Sequence, residues 1–195
     1  MNSKHWLTFL AGLLFLQAPP SAEACMCVPG HLQQVFCSTA ALLKVTFIKP
    51  SQAEPATSDN TTNINSGYEI QTLQVLKGNA MLKNSTFIRS MAGSSCEYPH
   101  PKDGFSIEYL IAVSNSENGL SINLCSFKAQ WNKLSPMQRE GVQGAYQRGC
   151  TCDIITCFDK ACSGTSDQCI LDNSSGNDSQ NQHKNDICTR NKEGT

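Results

Sequence analysis

Two cysteines one residue apart, Cys25 and Cys27, follow a segment that resembles a secretory signal and are the residues best placed to do chemistry. A short basic start precedes an apolar run over 6–16, and Ala22-Glu23-Ala24 matches the A-x-A pattern of signal-peptidase sites. We therefore expect residues 1–24 to be a signal peptide and the protein to be secreted. The mature chain would then begin at Cys25 with a free α-amine.

The expected N-terminal residue offers two metal-binding atoms, its α-amino nitrogen and its own carbonyl oxygen. Together with a metal ion these atoms close a five-membered ring. An α-amine has a reference pKa of about 7.7–8.0, so near neutral pH a useful fraction is deprotonated and metal binding displaces the remaining proton. A catalytic zinc with three protein ligands and a water in its open position is a suitable target.

The spacing of Cys25 and Cys27 admits a second interpretation. In an extended strand the two side chains point to opposite sides, so each must reach a different distant partner, and Pro29 stiffens the next step by fixing φ. Two disulfides one residue apart would clamp a chain terminus that otherwise frays. The clamp could serve zinc chelation or merely anchor the terminus, and the spacing alone leaves both interpretations open.

The chain has eleven cysteines among 195 residues. In a secreted protein this count favours a disulfide framework, with one thiol left over because the number is odd. Zinc binding by the cysteines themselves is the alternative, but the C-x-C pairs Cys25/Cys27 and Cys150/Cys152 lack the C-x2-C spacing of common zinc sites. Four sequons are possible N-glycosylation sites, each expected on a surface loop: Asn60, Asn84, Asn173 and Asn177.

Charge, hydropathy and motifs exclude several classes of function. The formal net charge of −1 shows no basic excess, which argues against nucleic acid or an anionic membrane as a partner. No later segment approaches the ~20 consecutive apolar residues that span a bilayer, so we expect no membrane insertion. His31, His100 and His183 are scattered, and the sequence has no nucleophile motif or H-E-x-x-H, so an enzyme is disfavoured.

Hydrophobic patterning predicts a mainly β (α+β) fold. Five short strands are expected over 41–48, 68–76, 85–91, 108–113 and 120–124. In the second strand the apolar phase changes between Ile70 and Leu73, which predicts a β-bulge that bends the strand. Five short, curved strands in about 90 residues suit a small closed barrel better than a sandwich.

Two helices are expected to flank the barrel, over 31–40 and 135–149. In the second, Ser135 as N-cap, Pro136 at the first helical position and Gln138 form a capping box. Its expected packing face consists of Met137, Gly141, Ala145 and Tyr146.

The composition changes after Cys150. Five further cysteines punctuate a segment with little apolar content, which disulfides must hold because it cannot bury enough surface by itself. The expected organisation is a barrel domain over 25–150 and a small cysteine-rich domain over 151–195.

Three parts of the sequence together resemble one family. Cys25-Met26-Cys27-Val28-Pro29 follows the signal directly, Cys37 lies ten residues on, and the block EYLIAV…CSFKAQWNKLSPMQREGVQGAYQRGC runs from Glu108 to Cys150. These segments closely resemble the tissue inhibitors of metalloproteinases. The resemblance implies a netrin-like, five-stranded OB-fold Greek-key barrel with flanking helices and a small disulfide-stapled C-terminal domain. It also implies the disulfides Cys25–Cys96, Cys27–Cys125, Cys37–Cys150, Cys157–Cys162 and Cys169–Cys188, with Cys152 unpaired.

The family's mechanism is the zinc chelate described above. The amine and carbonyl of Cys25 would displace the zinc-bound water of a matrix metalloproteinase and so remove its nucleophile. The resemblance implies that Met26 points into the primary specificity pocket and that the segment 93–95, held beside Cys25 by a disulfide, completes an inhibitory ridge. The implied protease-contacting residues are Cys25, Met26, Cys27, Val28, Pro29, Gly93, Ser94, Ser95 and Cys96.

Two features depart from the family pattern. Family members usually carry Thr or Ser after the first cysteine, where this chain has Met26. The family has twelve cysteines, and the partner expected for Cys152 would lie just beyond Thr195. Either the C-terminal domain is truncated, or Cys152 is free, or it pairs between molecules; we expect truncation or divergence rather than a redox role.

The leading hypothesis is a secreted, extracellular inhibitor of zinc metalloendopeptidases that has no cofactor of its own and binds the catalytic zinc of its target. Its expected partners are matrix metalloproteinases and related zinc endopeptidases, with the extracellular matrix as a further candidate. The alternative is a netrin-like extracellular binding or signalling module that does not inhibit proteases. A pure binding module needs no free α-amine at its first residue, so the position of Cys25 favours the inhibitor.

Overall fold

The computed structural model describes most of the expected mature chain. The described residues are 25, 27, 30–52, 66–90, 95–99, 106–116, 119–157, 163–165, 168–172 and 185–189. The expected signal peptide lies outside them.

Five strands form a closed barrel, as the hydrophobic pattern predicts. They are β1 (Ala41–Gln52), β2 (Ser66–Lys77), β3 (Phe87–Ser90), β4 (Glu108–Ser116) and β5 (Gly119–Ile122). β1 pairs antiparallel with β2 and β4, β2 with β3, and β4 with β5, while the parallel pair β3–β5 closes the ring. A sixth strand that the sequence did not predict, β6 (Lys128–Gln130), adds to β4.

The bulge predicted in the second strand is present. In the β1–β2 ladder, Lys44 pairs with Gln74 and Val45 with Thr72, so Leu73 is an extra residue on β2. A similar irregularity occurs beside Leu43. Bulges of this kind increase twist and bend a strand, which allows a short sheet to close into a barrel.

Two apolar clusters lie on opposite sides of β1 and β4. Side chains that alternate along these strands fill the barrel interior, including Leu43, Val45 and Phe47 of β1. The intervening residues Leu42 and Leu110 point outward, yet both are fully buried because the helices cover them. Burial on both faces explains the nearly continuous apolar run at the start of β1.

The first helix, α1 (Leu32–Ser38), begins at a capping box. The His31 ring accepts a hydrogen bond from the Gln33 N–H, and Gln34 Oε1 accepts one from the His31 N–H. Leu32 and Phe36 are the buried apolar residues of α1, and they belong to the apolar cluster outside the barrel that also contains Leu42 and Leu110.

The second helix, α2 (Pro136–Val142), has the predicted capping box between Ser135 and Gln138. The prediction of a single helix to Gly149 is wrong. Gly144, with φ of 142°, interrupts the helix, and a 3-10 helix (Ala145–Gly149) follows. Met137 is 36% exposed rather than packed, while Gly141, Ala145 and Tyr146 are buried as expected. Two further 3-10 helices span Ala80–Asn84 and Trp131–Lys133.

The C-terminal part contains a small parallel sheet, β7 (Asp153–Cys157) and β8 (Gln168–Asp172). Two glutamines of α1 attach this part to the helix through side-chain hydrogen bonds. Gln33 bonds to both the N–H and the carbonyl of Cys188, and Gln34 Nε2 donates to the Ile154 carbonyl at 2.7 Å. In the part of the chain that the structure describes, no helix has the length and apolar character needed to cross a membrane.

Candidate functional site

Two disulfides hold the expected mature N-terminus against neighbouring segments of the barrel. Cys25 is bonded to Cys96 with 5.2 Å between the Cα atoms, and Cys27 to Cys125 with 5.0 Å. The Leu124 N–H donates a hydrogen bond to the Cys96 carbonyl at 2.9 Å, so the two anchoring segments are also joined to each other. We call Cys25, Cys27, Cys96, Leu124 and Cys125 the N-terminal clamp.

A rigid turn after β5 presents Cys125. The Asn123 side chain accepts a hydrogen bond from the Cys125 N–H at 2.9 Å. The Ser126 N–H donates to the Asn123 carbonyl at 3.0 Å, and Ser126 Oγ accepts from the Asn123 N–H at 3.0 Å. An asparagine that bonds two residues along is a standard turn-forming device, and it fixes the point to which Cys27 is attached.

Tyr98 anchors the segment that carries Cys96. Its ring is 1% exposed and packs in the barrel core against Phe47 and Tyr68. Its N–H donates to Ser90 Oγ at 3.1 Å, and its carbonyl accepts from the Tyr68 hydroxyl at 3.0 Å. Burial, with smaller contributions from Tyr68 and Tyr109, raises the pKa of Tyr98 far above its usual value, so the phenol stays protonated.

The chain that leaves the clamp is fixed at the end of α1 as well. Cys37 is bonded to Cys150 with 5.3 Å between the Cα atoms. Lys77 Nζ donates to the carbonyls of Phe36 at 2.5 Å and Cys37 at 2.9 Å, where a cation is favoured by the helix dipole. Burial lowers the pKa of Lys77. The disulfides of Cys27 and Cys37 therefore hold the segment that precedes β1 near both of its ends.

Known proteins match most of the length of this cysteine-clamped chain. The family model described as tissue inhibitor of metalloproteinase matches residues 23–195. The chain belongs to this family. Metalloproteinase inhibitor 4 of Mus musculus is 28% identical over 162 residues, which cover 80% of this chain and 70% of that protein. Metalloproteinase inhibitor 2 of Gallus gallus is 31% identical over 168 residues, covering 84% and 74%. Metalloproteinase inhibitor 3 of Scyliorhinus torazame is 25% identical over 192 residues, covering 96% and 86%.

Family membership confirms the resemblance noted from the cysteine-led start, and it indicates an inhibitor rather than an enzyme. Within the described residues, no group of three or more His, Cys, Asp or Glu side chains is arranged to hold a metal ion.

The structure brings together those expected contact residues that it describes. Ser95 is exposed and adjoins Cys96, which is partly exposed beside Cys25. The other expected contact residues, Met26, Val28, Pro29, Gly93 and Ser94, lie outside the described residues. The hydrogen bond from Leu124 and the turn at Asn123 were not anticipated, although an asparagine two residues before a cysteine is a usable turn signal.

Only some of the remaining cysteines and sequons lie within the described residues. Cys169 is bonded to Cys188, Cys157 is disulfide-bonded, and its expected partner Cys162 lies outside the described residues. Cys152 is a free, partly exposed thiol. Asn84 is exposed at the end of a 3-10 helix. The sequons at Asn60, Asn173 and Asn177 lie outside the described residues.

Proposed function

We propose that this chain is a secreted inhibitor of zinc metalloendopeptidases whose mature N-terminal residue, Cys25, chelates the catalytic zinc of the target. Inhibition of metalloproteinases is supported by the family and by the names of its relatives. The zinc chelate rests on one observation, the N-terminal clamp, in which Cys25 and Cys27 are each bonded to a different segment.

The clamp favours chelation over simple anchoring because it restricts both atoms of the chelate. The amine and carbonyl of Cys25 belong to one residue whose side chain is covalently fixed to Cys96. That segment is in turn held by the buried Tyr98 ring. Ordering one residue's backbone costs roughly 1–2 kcal/mol. A pre-ordered terminus avoids this cost on docking, which favours tight binding.

The proposed contact removes the protease's nucleophile. The Cys25 amine and carbonyl take the position of the zinc-bound water, and no peptide bond of the inhibitor is placed for attack. Met26 enters the specificity pocket beside the zinc, and Val28 and Pro29 continue along the cleft. Gly93, Ser94 and the exposed Ser95 form the second edge of the ridge, next to Cys96. Matrix metalloproteinases and related zinc endopeptidases are the proposed partners, and a matrix partner rests on the resemblance alone.

The test compares the mature protein beginning at Cys25 with a form that carries one extra alanine before Cys25. A third form with one alanine after Thr195 is the matched control. Because the extension removes the free amine from the chelating position, we expect it to weaken inhibition of a matrix metalloproteinase by at least about 100-fold, or about 2.7 kcal/mol. The C-terminal extension should leave inhibition unchanged.

Three outcomes are distinguishable once identical unfolding curves show that all forms are folded. Loss of inhibition only in the N-terminally extended form supports the chelate. Equal inhibition by all forms means that the chelate is wrong and that the chain blocks the cleft in another way. No inhibition by any form would favour the alternative function, a netrin-like binding module that does not inhibit proteases.

A further inference from the structure

The 3-10 helix Ala80–Asn84 carries the most exposed large apolar side chain among the described residues. Met81 is 73% exposed, whereas the next, Ile48, is 49% exposed. Asn84, three residues on, is also exposed and begins the sequon Asn84-Ser85-Thr86. A 3-10 helix has three residues per turn, so Met81 and Asn84 lie on the same edge of the helix, about 6 Å apart along its axis.

The fold holds Met81 in this exposed position. The Met81 N–H donates to Asn79 Oδ1 at 2.9 Å, which caps the helix. Leu82, its neighbour, packs against the barrel core, and Lys83 Nζ donates to the Thr72 carbonyl at 2.9 Å. With Leu82 turned inward and Lys83 tied to β2, the edge shared by Met81 and Asn84 faces solvent. A single exposed apolar side chain is common on protein surfaces, so Met81 carries weight here because a sequon asparagine lies on the same edge of the helix.

We propose that Asn84 carries an N-linked oligosaccharide whose first sugar lies over the Met81 side chain. The proposed glycosylation depends on secretion, which is part of the proposed function. The donor is a lipid-pyrophosphate-linked oligosaccharide of the secretory pathway. The Asn84 amide nitrogen bonds to the anomeric carbon of the sugar, the bond from that carbon to the pyrophosphate oxygen breaks, the lipid pyrophosphate leaves, and the amide loses one proton. Thr86 provides the hydroxyl that the sequon requires.

The environment of the sequon suits this modification. Asn84 and Thr86 are both exposed. The Thr86 carbonyl accepts a hydrogen bond from the Ile70 N–H at 2.8 Å, so the backbone of the sequon is fixed without its side chains. The first sugar, N-acetylglucosamine, has a ring face of C–H groups and an acetamido methyl group. These can cover Met81 without burying a polar atom.

The strand directions place this sugar away from the N-terminal clamp. β3 and β5 are parallel, and both run toward the segments that hold Cys96 and Cys125. Asn84 precedes β3 and therefore lies at the opposite end of that strand. Ser90 lies six positions after Asn84, and four of these positions belong to β3, so the two residues are separated by up to about 20 Å. The glycan should therefore leave the inhibitory ridge free.

Occupancy is tested by peptide mapping of the full-length protein secreted from eukaryotic cells. Peptide N-glycosidase in water enriched in oxygen-18 converts a glycosylated asparagine to labelled aspartate, so the Asn84 peptide reports its own occupancy. We expect label in the wild type and in Thr86→Ser, which keeps the sequon, and none in Thr86→Ala. Mainly unlabelled Asn84 in the secreted wild-type protein overturns the proposal, and this measurement needs no variant to fold.

The covering contact is tested by oxidation with dilute hydrogen peroxide, which converts exposed methionine to the sulfoxide. Met81 should oxidise several-fold faster in Thr86→Ala than in wild type, while Met137, 36% exposed, serves as the internal reference and should not change. Equal rates at Met81 would overturn the contact. Protease inhibition by Thr86→Ala should equal that of wild type. Sequencing the mature N-terminus tests secretion separately. A failure of the proposed glycosylation can therefore be distinguished from a failure of the proposed function.

Discussion

Gln33→Ala should destabilise the protein because Gln33 joins α1 to two distant parts of the chain. The side chain is 1% exposed. Its Nε2 donates to the carbonyls of Gly149 at 3.0 Å and Cys188 at 2.7 Å, and its Oε1 accepts from the Cys188 N–H at 2.8 Å. Alanine removes all three hydrogen bonds and leaves two carbonyls and one N–H buried without these partners.

The loss can be worked out from these groups. A buried polar group that loses its partner costs about 1–3 kcal/mol. The Gly149 carbonyl keeps a second hydrogen bond, from the Cys152 N–H, so only the N–H and the carbonyl of Cys188 are counted. The low end of the range applies because the space left by the glutamine can admit water, which gives about 2 kcal/mol for these two groups. With an m value of about 2 kcal/mol/M, the urea midpoint should fall by about 1 M. Gln33→Glu should be destabilised as well, because a carboxylate cannot donate to either carbonyl.

Equilibrium urea unfolding with intact disulfides measures the effect. Gln147→Ala is the matched control, since Gln147 is an exposed glutamine in the 3-10 helix that precedes Cys150. The control should stay within about 0.5 kcal/mol of wild type. A Gln33→Ala loss below about 1 kcal/mol would refute the reasoning, because it would mean that the three bonds are replaced at no net cost.

Three further predictions concern Tyr146, Gly144 and Met26. Burial raises the pKa of Tyr146 to about 12, above its ordinary value near 10. Its contribution to stability is therefore complete below about pH 10 and lost as the pH rises towards 12, and Tyr146→Phe should reduce this alkaline loss in urea unfolding. Gly144→Ala should lower the free energy of unfolding by about 1–2 kcal/mol, because a side chain at φ of 142° is strained even though a Cβ there meets no atom within 4 Å; an unchanged midpoint would contradict this. Met26→Thr should broaden the set of metalloproteinases inhibited, because a long apolar side chain suits deep pockets and clashes with shallow ones; an unchanged inhibition profile across a panel would count against it.

The barrel strands could be predicted because their signals are local. Val45 and Phe47 alternate on one face of β1, and the phase change between Ile70 and Leu73 indicates the bulge that the β1–β2 register shows. The short strands β6, β7 and β8 could not be predicted in the same way. They have three to five residues and are mostly only partly buried, so neither alternation nor a long apolar run sets them apart from loops.

Some features of the helices could be predicted from neighbouring residues, and others depend on tertiary packing. The Ser135–Gln138 capping box involves only four consecutive residues and forms as predicted. The break falls at Gly144, where glycine is a local signal for a helix end. The exposure of Met137 depends on which face of α2 packs against the rest of the fold, and no local pattern encodes this. Similarly, the capping box at His31 uses a histidine and a glutamine, a pair that is a weak signal in isolation.

The amino-acid sequence by itself determined the kind of protein this is: a cysteine-led start behind an expected signal, five strands of barrel length, and a family pattern spread along the chain. The tertiary structure alone decided how the start is held. The hydrogen bond between Leu124 and Cys96 and the buried ring of Tyr98 join residues from separate segments. Contacts of this kind depend on how strands close in space rather than on residue spacing, and the rigidity on which the proposed zinc chelate depends comes from them.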